Sequence, residues 1–250
     1  MALCGCIGCG NTSNRAEIQR FLCANVDAGT PTTASPPATQ SPATAGDGFT
    51  PNTFSTTEIG TTGNFTNPDI NGLLSGTAWD QLTVTYSFPT DNVGYVYFFD
   101  TAPYNGFQAL VPAQQAVARQ AFSLVSQYTP LNFVEQTGAN AATAQIRLAG
   151  SATPATSYAY FPGPNQPDGD IWFGNIRNDV PTKGGYAYST YLHEIGHALG
   201  LKHGHVNDGV RGVLPAAHNS TEWSLMTYMS YIGASGASYE NPPAAATRPT

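Results

Sequence analysis

Alternation of apolar and polar positions gives way to a helical repeat partway along the chain, and that change lays out most of the fold. Residues 82–88, LTVTYSF, alternate and are rich in β-branched and aromatic side chains, which predicts a strand. From Pro112 the period lengthens: Val117, Ala121, Leu124, Val125 and Tyr128 recur at helical spacing. A helix to about Tyr128 is expected, with Pro112 in its first turn and those five residues as its buried stripe. Short strands should follow at 131–134 and 145–148, then SYAYFPG at 157–163 and GDIWFG at 169–174. Leu192, Ile195 and Leu199 restore helical spacing towards the C-terminal side. A strand, a long helix, several strands and a second helix describe an α/β (α+β) domain with a twisted mixed sheet. There are no internal repeats.

The flanks differ from this centre. Residues 1–27 form a small separate piece in which Ile18, Phe21, Leu22 and Val26 suit a short amphipathic helix. Residues 28–48 have the Thr, Pro and Ala composition of a disordered linker, and 233–250 that of a disordered tail. Between them, 49–70 is polar, with Phe49, Phe54, Ile59 and Phe65 as candidate anchors. The folded domain is expected over 70–232. A chain of 250 residues has room for one substantial domain. Its net charge of −7 with 10% charged residues points away from nucleic acid. No apolar run is long enough to span a membrane, so no membrane partner is expected.

With 26 Gly and 19 Pro the chain reads as a turn-rich protein of extracellular type, although its N-terminus lacks the pattern of a secretory signal. Cys4, Cys6, Cys9 and Cys23 all precede the domain, so no disulfide framework holds the core. The CGCIGC cluster admits three readings: a metal site, a thiolate that blocks a metal elsewhere, or a disordered leader, the last being preferred.

The candidate chemistry lies in HEIGHALGLKH, residues 193–203. On a helix, His197 sits only about 40° around from His193, so both imidazoles point one way, opposite Leu192, Ile195 and Leu199. Gly200 can adopt the left-handed conformation that ends a helix, which lets the chain return His203 to the same place. Three neutral imidazoles with a position left for water make an open, catalytic type of Zn2+ site. Glu194 stands beside the histidines, near enough to work on that water without being a ligand.

These eleven residues resemble the zinc signature of the metzincin metalloproteases. The likeness extends to LLSGTAWDQLTVTYSF, PAQQAVARQAFSLVSQYTPLNFVE, the AYFPGP and GDIWFG segments and YSTYLHEIGHALGLKH, which are similar to the serralysin-type and matrixin-type (peptidase family M10) catalytic domain. The resemblance implies a zincin-like fold and a secreted zinc endopeptidase, a monomer acting on protein or peptide substrates. By that resemblance Glu194 is the base in the attack of zinc-bound water, His193, His197 and His203 hold one zinc, and Met226 forms the methionine turn beneath it. Tyr228, two residues on, is placed to donate to the oxyanion. Met229 with Tyr231 offers a rival register for that pair.

Tyr158, Ala159 and Tyr160 match the edge strand that binds substrate. Gly204 stands where serralysins usually carry a proline; His205 is expected to face solvent or back the ligands, and His218 has no role. Serralysins also carry calcium-binding repeats, and none occurs here, so calcium is a family possibility without a motif. The alternative expectation is an inactive or peptide-binding relative lacking the C-terminal part of the domain.

Overall fold

The computed structural model describes residues 56–58, 65–97, 102–165, 167–207 and 211–230. The expected N-terminal helix, the cysteines, the linker, Phe49, Phe54, Ile59, Tyr231 and the tail lie outside the described residues. The elements run in the order β1 (Thr56–Glu58), α1 (Pro68–Asn71), β2 (Thr77–Trp79), β3 (Thr83–Ser87), α2 (Ala102–Asn105), β4 (Phe107–Gln108) and α3 (Pro112–Tyr128). They continue through β5 (Asn132–Gln136), β6 (Ile146–Ser151), β7 (Tyr158–Ala159), β8 (Ile171–Phe173) and α4 (Tyr186–Ala198). β1 pairs antiparallel with β2, so strand pairing reaches residues ahead of Ile70.

A six-stranded mixed sheet has the order β5-β3-β6-β8-β7, with β4 also pairing β6. β3 is parallel to both β5 and β6, and β6 is parallel to β8. Parallel neighbours need a crossover, and α3 supplies the one from β3 to β5. β7 runs antiparallel to β8 and closes the sheet at one edge.

Period-two alternation divides the side chains between two buried faces. Ile146 and Leu148 of β6, with Ile171 and Phe173 of β8, pack with Ala118 and Phe122 of α3 and Tyr191 and Ile195 of α4. Ala149 and Trp172 point the other way, into a cluster with Tyr95 and Tyr97. Trp79 donates to the carbonyl of Ala198 at 2.9 Å, tying β2 to the end of α4.

α3 has the bounds expected from its pattern, but its buried stripe is rotated. Gln114, Ala118, Ala121 and Phe122 are the buried residues, while Val117 and Val125 are only partly covered. Leu124 is half-buried and Tyr128, the last helical residue, is 37% exposed. The cause is Phe122, whose ring stacks on Tyr86 at 4.3 Å and lies 4.8 Å from Phe133, so this residue sets the face of the helix. A third cluster joins Ile70, Leu73, Leu74, Leu201, Leu214 and Met226, with Phe65 packed against it. Among the described residues no helix is long and apolar enough to cross a membrane.

Candidate metal centre

α4 delivers two histidines one turn apart, and a tight cap brings back the third. Leu199 closes the helix, and Gly200 follows at φ +100°, a conformation that suits glycine. Gly200 N–H donates to the carbonyl of His197 at 2.9 Å and Leu201 N–H to that of Gly196 at 2.9 Å. This paired pattern is a Schellman motif, which satisfies the last carbonyls while reversing the chain. Lys202 N–H then donates to Leu73 and Gly204 N–H to Met226, fixing the strand-like run that carries His203.

The Nε2 atoms of His193, His197 and His203 are 3.0 Å apart in each pairing. Nδ1 of His193 lies 2.6 Å from the carbonyl of Leu225, and Nδ1 of His197 lies 2.6 Å from that of Leu201. A carbonyl only accepts, so both Nδ1 atoms carry the proton and both Nε2 atoms present lone pairs inward. Lone pairs facing each other at this distance repel unless a cation shares them. Neutral imidazoles converging in this way fit a borderline dication such as zinc. Burial, reinforced by the neighbouring histidines, lowers His197 well below its usual range and His203 to about 4; burial likewise lowers His193.

Glu194 is 5% exposed, and its Oε2 has no hydrogen-bond partner. Burial alone pushes its carboxyl up to about 8. Met226 is buried against the underside of α4: a Cβ at Gly196 would come within 2.7 Å of its Sδ, so a larger residue there would push the thioether aside. Tyr228 lies with its ring 4.4 Å from His203 and 5.6 Å from His193. Burial, then the charge of Glu194, raises its phenol to about 12. Nδ1 of His205 accepts from the Tyr228 N–H at 3.3 Å, and its ring stacks on His203. His218 pairs with Asp69 at 2.7 Å and stays outside the cluster.

The edge strand divides its side chains. Tyr158 and Tyr160 pack into the aromatic cluster of Tyr97 and Trp172, on the sheet face away from α4, whereas Ala159 packs against the core on the α4 side. Phe161, which the sequence reading passed over, is 41% exposed with its ring 5.6 Å from that of His197. Its signal was available: a residue before proline is held extended, so alternation carries past the end of β7.

Residues 109–226 match the model of the Matrixin family, Peptidase_M10, a segment that takes in the three histidines and stops at Met226. Serralysin of Photorhabdus laumondii is 31% identical over 137 residues, 51% of this chain and 28% of the relative. Serralysin A of Dickeya chrysanthemi is 34% identical over 136 residues, 50% of this chain and 28% of the relative. The aligned part of this chain thus spans under a third of either serralysin. A solved structure of myroilysin aligns over 53% of this chain and 55% of its own at 22% identity and a TM-score of 0.36, and adds nothing to what the sequence relatives carry. Over residues 109–226 the chain is thus similar to the peptidase M10 domain of matrixins and serralysins.

Proposed function

We propose that this protein is a zinc metalloendopeptidase that hydrolyses peptide bonds in protein or peptide substrates outside the cell, with its catalytic unit in residues 70–232. The observation that carries the proposal is the set of three inward-facing Nε2 atoms, with the buried Glu194, whose Oε2 has no partner, next to His193 in the chain. His193, His197 and His203 would hold the zinc, which when bound polarises a carbonyl and lowers the pKa of a water towards about 7.

The remaining work falls to the chain's own groups. Glu194 is buried next to His193 in the chain with its Oε2 unpartnered, so in its ionised form it is free to act as the base. It takes a proton from the attacking water and passes it to the departing amine. Tyr228 keeps its proton at neutral pH and donates a hydrogen bond to the oxygen that becomes negative in the tetrahedral intermediate. Met226 supports the helix under the histidines as packing, not as a ligand. An extended substrate would lie along β7 at Tyr158, Ala159 and Tyr160, bound through main-chain hydrogen bonds. An inactive peptide-binding relative would have no use for a buried Glu194 whose Oε2 is left without a partner.

Purified protein should contain about one zinc per chain and cleave casein, with cleavage lost on chelation and restored by added zinc. His197→Ala should lose most of its zinc. Full metal retention in that variant, or casein cleavage unaffected by chelator, would overturn the assignment.

A further inference from the structure

We infer that Phe161 selects the substrate, walling a subsite beside His197 for an aromatic or large aliphatic side chain next to the scissile bond. The inference rests on the peptidase reading above and adds a specificity-determining residue to it. β7 is the last strand of the sheet path, and its register with β8 pairs Tyr158 with Trp172 and Ala159 with Ile171. Tyr160 N–H donates to the carbonyl of Asp170 at 3.0 Å. In an antiparallel ladder bonded residues alternate with residues that turn away, so Ala159 and Phe161 direct their main-chain groups to the open edge. A peptide adding to that edge would bond at these two positions.

The side chains make the same distinction. Tyr158 and Tyr160 are committed to the aromatic cluster, with ring distances of 5.5 Å to each other and 5.9 Å from Tyr160 to Tyr97. They are anchors for the strand and do not face the histidines. Ala159 packs against the core and offers only a methyl group on that side. Phe161 is the large group left on the α4 side, held extended by Pro162 and set edge-to-face against His197.

A strand advances about 3.3 Å per residue, so with the scissile carbonyl at the histidines, a substrate side chain touching Phe161 is within one or two residues of that bond. Covering the exposed phenyl ring removes apolar surface from water on both partners. One aromatic contact of this kind, with the methylene-scale discrimination of an apolar pocket, corresponds to a preference of about 10-fold.

The test uses the zinc-loaded full chain and fluorescence-quenched peptides in which each position flanking the cleaved bond is set in turn to Phe, Leu, Ala or Lys. Wild type should prefer Phe or Leu over Ala at one flanking position. Phe161→Ala should lower that preference by about 10-fold and leave other positions unchanged, while Phe161→Leu keeps most of it. The same peptides are titrated against zinc-loaded Glu194→Gln with and without Phe161→Ala, reading dissociation constants by anisotropy. An unchanged preference in Phe161→Ala, or an equal loss for every peptide including the alanine series, would overturn the inference. Wild type that cleaves nothing would count against the peptidase reading, and the binding titration would then decide Phe161 by itself.

Discussion

Two buried ionisable groups of this domain, Asp170 and Glu194, have been treated in opposite ways by the fold. Asp170 is 1% exposed and accepts two bonds from Arg147, at 2.7 and 2.6 Å. Tyr97 O–H also donates to it, and Trp172 Nε1–H donates to Tyr97 at 2.9 Å. Arg147 bonds further to the carbonyl of Gly94 and lies over the ring of Tyr95. Glu194 is almost as deep, yet its Oε2 has no partner. Burial raises both carboxyls, but Arg147 and Tyr97 pull Asp170 back to about 6 while Glu194 stands at about 8. A satisfied buried charge specifies structure. An unsatisfied one costs stability, and here it lies next to the histidine cluster, where the proposed reaction needs a proton acceptor.

The comparison can be broken most forcefully from the structural side. Arg147→Met leaves Asp170 buried without its counterion, which should cost about 3–5 kcal/mol and appear as a lower denaturant midpoint. A wild-type midpoint would mean that the ion pair does not hold the fold. Glu194→Gln, equally deep, should do the reverse. Its midpoint and zinc content should stay near wild type while peptide cleavage falls at least about 100-fold. A variant that still cleaves at near wild-type rate places the base elsewhere.

On the proposed mechanism, Tyr228→Phe removes a donor used only in the transition state. It should reduce kcat by up to about 100-fold with KM and zinc content little changed. Equal kinetics for the variant would leave the water and Glu194 to work without it.

A further test concerns pH. In metal-stripped protein the folded pKa of Glu194, about 8, lies above its usual 4.5. Its contribution to stability is therefore fully present below pH 4.5 and is lost as pH rises through 8. Glu194→Gln lacks this loss, so its melting temperature relative to wild type should climb between those limits. The buried histidines shift the other way: with folded values below 6.5, their contribution is present above 6.5 and lost as pH falls towards 4. They are common to both proteins and cancel in the difference. A flat difference across that range would show that Glu194 is not held in an apolar setting.

The centre of the site was legible because its ingredients are local. His193, Glu194 and His197 fall within two turns of one helix, where spacing fixes direction, and Gly200 follows its cap. The bounds of α3 were legible from Pro112 and the helical period. Its face was not, because Phe122 is selected by Tyr86 and Phe133 on strands distant in sequence. The ion pair of Arg147 and Asp170 lies beyond sequence reasoning for the same reason, since the pairing of β6 with β8 brings them together. Phe161 is intermediate. Alternation and Pro162 fix its direction, but only the sheet order tells which side of β7 faces the histidines.

The hydrogen bond from His193 Nδ1 to Leu225 spans 32 residues, whereas the one from His197 to Leu201 spans four. A synthetic peptide of residues 186–207 would therefore contain every imidazole of the motif but only half of what aims them. Its His193 ring could rotate and exchange tautomers, and the ordering that the whole chain completes during folding would have to be met at each encounter with the ion. Such a fragment should capture zinc far more weakly than the intact domain. In assembly terms, the centre is finished only when the loop at Leu225 arrives, after all three histidines are already in the chain.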